Sequence, residues 1–105
     1  MSDQHDYAAQ RRETFAVFKG AKGLPATAVV EFVFFVEETD ADWDGFERAL
    51  RAEGFRTRRL EDGETVLALC GPMPVQPEPI WTAEELATRI ALRFDFYPDG
   101  WSIAD

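Results

Sequence analysis

Apolar side chains occupy both faces of the segment Ala28–Val36 if it is extended. Val30, Phe32, Phe34 and Val36 fall on one side, and Val29, Val33 and Phe35 on the other, where Glu31 is the exception. A strand that is apolar on both faces is usually a central strand covered on both sides, which is the prediction here. The segment Thr65–Gly71 repeats the pattern through Val66, Leu67, Ala68, Leu69 and Cys70, and predicts a second central strand. Between them the period changes from two to that of a helix. Thr39 or Asp40 can cap the helix start, and Asp42 favours the positive end of its dipole. Trp43, Phe46, Ala49 and Leu50 form the inward stripe, and Gly54 ends the helix. The short segment Phe55–Leu60 carries Arg56, Arg58 and Arg59, a charge density suited to a sheet edge. Asp62-Gly63 then predicts a turn into the second central strand.

The flanks follow the same logic. Residues Gln4–Lys19 predict a helix with Tyr7, Arg11, Phe15 and Phe18 near one face, stopped by Gly20, Gly23 and Pro25. Pro72, Pro74, Pro77 and Pro79 predict an extended loop over Gly71–Pro79, because proline donates no ladder hydrogen bond. Thr82 and Glu85 then read as a capping box, with Trp81 stapled onto Leu86 and an inward stripe of Leu86, Ile90 and Phe94. A last strand lies within Phe94–Ala104, where Pro98 restricts it to an edge or turn. The order is a helix followed by β-α-β-β-α-β. Right-handed crossovers joined by one hairpin fold this order into an α+β domain, a ferredoxin-like βαββαβ sandwich with a four-stranded antiparallel sheet and an extra N-terminal helix. The first and third strands would be central and the second and fourth edges, which is where the arginines and Pro98 fall. Residues 1–105 form a single domain on this reading, with helix and linker over 1–23 and the α+β core over 24–105.

Composition narrows what such a domain does. Apolar residues make up 46% of the chain, enough to form a core and exclude a disordered chain. The net charge of −9 opposes approach to a polyanion, so direct nucleic-acid binding is not expected. The Arg56, Arg58 and Arg59 strand beside Phe32, Phe34 and Phe35 superficially suits an RNA-binding sheet, but the aromatic motif with its basic and glycine neighbours is absent. The single cysteine fits a reducing compartment, the N-terminus lacks the basic and apolar regions of a secretory leader, and no apolar run spans a bilayer. A cytoplasmic protein without membrane contact is expected.

Candidate chemistry is sparse. His5 lies near the terminus, and Cys70 falls inside a central strand, where it reads as a small apolar residue. Glu37, Glu38, Asp40, Asp42 and Asp44 cluster before the second helix, but without the spacing of a calcium loop. Neither phosphate-loop spacing is present. No catalytic residue, metal site or cofactor is expected. Trp43 and Trp81 have structural roles in this reading, whereas Trp101, at the start of the last strand, suits either edge packing or a binding anchor.

Three segments together carry a resemblance. Gln10-Arg11-Arg12-Glu13-Thr14, the stretch Gly23–Asp42, and the ending Phe94-Asp95-Phe96-Tyr97-Pro98-Asp99-Gly100-Trp101 resemble the RraB proteins, bacterial inhibitors of ribonuclease E. The ending is similar to that family's Tyr-Asp-Gly-Trp motif, with Pro98 at the tyrosine position and Tyr97 one place earlier. The resemblance implies a non-catalytic regulator of RNA degradation that binds ribonuclease E, with contact residues at Tyr97, Asp99, Gly100 and Trp101. The competing reading is a homo-oligomer. One sheet face would then have to be covered, either by the first helix or by a second copy over Val29, Val33 and Phe35. A small-ligand enzyme is a third reading, which calls for converging titratable groups.

Overall fold

The structure, a computed structural model, describes residues 5–104. Its elements run α1 (Tyr7–Gly20), β1 (Thr27–Val36), α2 (Trp43–Ala52), β2 (Arg56–Arg59), β3 (Thr65–Pro74), α3 (Pro77–Arg93) and β4 (Phe96–Ala104). The four strands form one antiparallel sheet in the order β2-β3-β1-β4. The two doubly apolar strands are therefore central, and the arginine-rich and proline-containing strands are the edges, as the pattern predicts. The topology is that of the split β-α-β unit.

One face of this sheet carries the core. Val30, Phe32, Phe34 and Val36 of β1, with Val66 and Ala68 of β3, meet Phe46 and Leu50 of α2 and Ile80, Ala87, Ile90 and Ala91 of α3. Phe46 stacks on Phe96 at 4.4 Å between ring centroids and meets Phe34 edge-on at 5.8 Å. The cap of α2 is Asp42, whose carboxylate accepts from the Gly45 amide at 2.9 Å. This replaces both expected caps, Thr39 and Asp40: the helix starts at Trp43, so the residue placed to accept from its free amides is Asp42.

Three further expectations change. First, the proline-rich stretch is not a loop. β3 continues to Pro74, pairing with Thr27 and Ala28, and α3 starts at Pro77. Proline fits the first helical turn because its missing N–H has no helical partner there. The strand accommodates Pro72 at a bulge, where Gly71 takes φ +116°. Second, Thr82 lies inside α3 rather than capping it, and Leu86 is 38% exposed. Ile90 is buried as expected, but the face it belongs to runs through Ile80, Trp81, Glu84, Ala87, Thr88 and Ala91 and leaves Leu86 out. Third, the buried residues of α1 are Gln10 and Thr14, not the Tyr7–Phe15 row, and α1 packs against α3. Gln4, where the sequence starts this helix, lies outside the described residues.

Because all three helices lie on one side, α1 does not cover the second sheet face. Val29, Val33 and Phe35 stay half-buried there. Leu67 is buried beside its register neighbours Val33 and Arg58, and Phe35 contacts Tyr97 at 5.8 Å between centroids.

Candidate functional site

The site is built where α1 crosses α3 beside the last strand. Two helices meet there through polar residues four apart on each: Gln10 and Thr14 on α1, Glu84 and Thr88 on α3. The Gln10 amide donates to Glu84 Oε2 at 3.2 Å and to Thr88 Oγ1 at 3.0 Å, and the Thr14 hydroxyl donates to Glu84 Oε1. Gln10 Oε1 lies 2.7 Å from His5 Nε2, so the terminal histidine is joined to the network. Every buried member has a partner, which is what makes such a polar contact tolerable inside a packed interface.

Glu84 is 3% exposed, and its hydrogen-bond donors are neutral. Burial pushes its carboxyl above the usual range, and nearby Glu13 adds to the rise, while the bonds from Thr14 and Gln10 and the proximity of His5 pull it back. Since the folded carboxyl holds its proton more tightly than the unfolded one, its ionisation opposes folding. Stability from this group is therefore present below the unfolded glutamate pKa and is lost as pH rises through the folded value. Glu84→Gln cannot ionise. Urea denaturation from pH 4 upward should show the wild type losing stability relative to Glu84→Gln over that interval. A parallel pair of curves would contradict this assignment.

Strand β4 frames the other side. Its register against β1 slips between Phe32 and Phe34, so that one extra residue is inserted near Asp99 and Gly100. Gly100 adopts φ +92°, the conformation such a bulge asks of a glycine. Beyond the bulge Trp101 pairs with Phe32 and so faces the helices, where Phe18 of α1 stacks on it at 5.7 Å with an interplanar angle of 26°. The result is a cleft of about 550 Å³ between α1 and β4, lined by His5, Gln10, Glu13, Glu84, Asp99 and Trp101 among others.

The four residues expected to act together are thus divided. Asp99, Gly100 and Trp101 border the cleft, whereas Tyr97 is 37% exposed on the opposite face of the sheet. Regular alternation would place Tyr97 and Trp101, four residues apart, on one face; the extra residue at the Asp99-Gly100 bulge puts them on opposite faces. Trp101 has both of its expected roles available, since it packs at the sheet edge and borders the cleft. His5, Gln10, Thr14 and Glu84 belong to the site and were not singled out together by sequence reasoning. Their signal was the matched polar pairs at four-residue spacing on two helices.

The remaining candidates lie elsewhere. Cys70 is half-buried on the helical face; burial pushes its thiol up, and Arg56 pulls it the other way. Among the described residues no three or more His, Cys, Asp or Glu side chains group as a cation site. Asp44 instead joins Glu47 in holding Arg59, at 2.7 and 2.9 Å. No described helix is long and apolar enough to cross a membrane.

Fold and cleft define a small α+β domain with helices on one sheet face and a carboxylate-lined groove at its last strand. The family model described as regulator of ribonuclease activity B matches residues 10–103, and the chain belongs to the RraB family. Membership supports a regulatory, protein-binding role. No curated protein matches the chain.

Proposed function

We propose that this protein is a non-catalytic cytoplasmic regulator that binds ribonuclease E and slows or redirects RNA degradation through protein–protein contact. The observation that carries this reading is the family match over residues 10–103, which takes in most of α1 and nearly all of β4, the two walls of the cleft. The net charge of −9 supports a protein partner over RNA itself. Trp101, half-exposed and braced by Phe18, is the anchor, with Asp99 and Gly100 shaping the rim beside it.

Purified ribonuclease E should bind the immobilised protein, and its cleavage of a model RNA should change when the protein is added. Trp101→Ala should weaken binding by about tenfold or more, the size of an interface hot spot. Tyr97→Ala reports on the opposite sheet face, and a loss as large as that of Trp101→Ala would put the contact there. Absence of binding by the unmodified protein would overturn the proposal.

A second reading rests on the uncovered sheet face, where Val33, Phe35, Leu69 and Tyr97 lie beyond the reach of any described helix. In that reading a second copy covers it. Sedimentation of the protein over a wide concentration range, with Phe35→Asp as the disruptive variant, separates a dimer from a monomer.

A further inference from the structure

We propose that the cleft between α1 and β4 is a seat for an arginine side chain presented by a partner polypeptide, an assignment that rests on the regulatory-binding reading above and supplies its chemistry. Four carboxylates border this cleft, those of Asp6, Glu13, Glu84 and Asp99, and no lysine or arginine does. Asp6 is occupied in capping α1 through the Ala9 amide. Glu13 and Asp99 are exposed and enter no ion pair among the described residues. Glu84 is the unusual member. It is buried and both of its oxygens already accept, from the Thr14 hydroxyl and the Gln10 amide, so it forms the floor of the cleft and takes no further partner. The unpaired charge is that of Glu13 and Asp99, and with no lysine or arginine on its lining the cleft is electrostatically incomplete toward a positive charge.

The aromatic wall decides between kinds of cation. An indole face beside carboxylates suits a planar guanidinium, which stacks on the ring while its edge donates to oxygen. The molecule satisfies this combination three times with its own arginines. Arg59 lies over Trp43 at 5.2 Å while it donates to Asp44 and Glu47. Arg89 lies over Tyr7 at 4.4 Å and pairs with Glu85, and Arg11 lies over Phe15 at 4.2 Å and pairs with Glu78. Trp101 with Glu13 and Asp99 repeats the arrangement without an arginine of its own. Phe18 stacks on one face of the Trp101 indole, so the guanidinium would take the other.

The test uses the isotope-labelled full chain and a short capped peptide containing one arginine flanked by glycines, compared with the same peptide carrying citrulline or lysine. Nuclear magnetic resonance titration should move the Gly100 amide and the Trp101 indole N–H with the arginine peptide. Citrulline, isosteric but uncharged, should leave them in place, and lysine should bind more weakly. The double variant Glu13→Gln and Asp99→Asn changes only exposed side chains, and should weaken the arginine peptide by about threefold or more. Shifts of equal size with all three peptides, shifts elsewhere on the surface, or full affinity in the double variant would each overturn the arginine seat. Ribonuclease E binding by the wild type and the double variant is measured in parallel. Peptide binding at the cleft without ribonuclease binding sinks the regulator reading and leaves the seat. Ribonuclease binding without any response at Gly100 and Trp101 to the peptide does the reverse.

Discussion

Phe46→Ala should remove about 3–5 kcal/mol of folding stability, the cost of emptying a large aromatic site in a closed core. Phe46 is fully buried, and its ring serves three neighbours at once: Phe96 stacked at 4.4 Å, Phe34 edge-on at 5.8 Å and Phe94 tilted at 6.1 Å. These neighbours belong to a central strand, an edge strand and the end of α3. The cavity cannot close without moving all three, so the loss should sit at the high end for one side chain. Domains of this size are stable by only about 5–15 kcal/mol, so the variant should approach the limit of folding. Urea denaturation followed by far-ultraviolet circular dichroism measures it: the midpoint should fall while the slope stays near that of the wild type. A loss below about 1.5 kcal/mol would mean that α2 repacks, and that the sheet rather than the α2 contact organises this core.

Gly71→Ala should cost about 2–4 kcal/mol even though it adds only one methyl group. The residue sits at the β3 bulge with φ +116°, a region that side-chain-bearing residues rarely adopt. A methyl group placed there would lie 2.7 Å from the Met73 amide nitrogen and 2.9 Å from the Ala28 carbonyl oxygen. Both are backbone atoms held by the pairing of β1 with the end of β3, so neither can move without opening that pairing. The same denaturation experiment reads the loss. Hydrogen exchange locates it, with the Val75 amide, bonded to the Ala26 carbonyl at 3.0 Å, expected to lose protection first. A variant as stable as the wild type would show that the bulge relaxes at little cost.

The two central strands are legible in the sequence because one face is fully buried under the helices and the other keeps apolar side chains half-buried between neighbouring strands. Phe32 and Ala68 show it, paired in register at the middle of the sheet. The arginines of β2 and Pro98 of β4 are legible for the complementary reason: each would be costly in a central strand and is harmless at an edge. The α2 stripe was readable too, with Phe46 and Leu50 fully buried. The proline segment misled because a proline's local preference says where it cannot donate a hydrogen bond, and not whether that donor is needed. At Pro77 the helix start has no use for it, and near Pro72 the bulge removes the need.

The site was half readable. Trp101 and its Asp99-Gly100 neighbours stood out as an aromatic turn that suits either edge packing or a binding anchor. Tyr97 was grouped with them, and regular alternation would put Tyr97 and Trp101 on one face; the bulge between them undoes that alternation. Glu84 was hidden because a glutamate on a helix is ordinarily a solvent residue; only the partner helix makes it buried.

By itself, then, the sequence determined the order of elements, which strands lie inside and which at the edges, and the family, since these rest on local periodicity and on residues that the backbone either admits or refuses. Tertiary structure alone decided that α1 lies against α3 and leaves the second sheet face open, that Gln10, Thr14, Glu84 and His5 converge, and that a one-residue bulge turns Trp101 toward them. Those outcomes depend on which surfaces meet across long separations in the chain, and on the desolvation of groups whose partners are far away in sequence, quantities that no local pattern encodes.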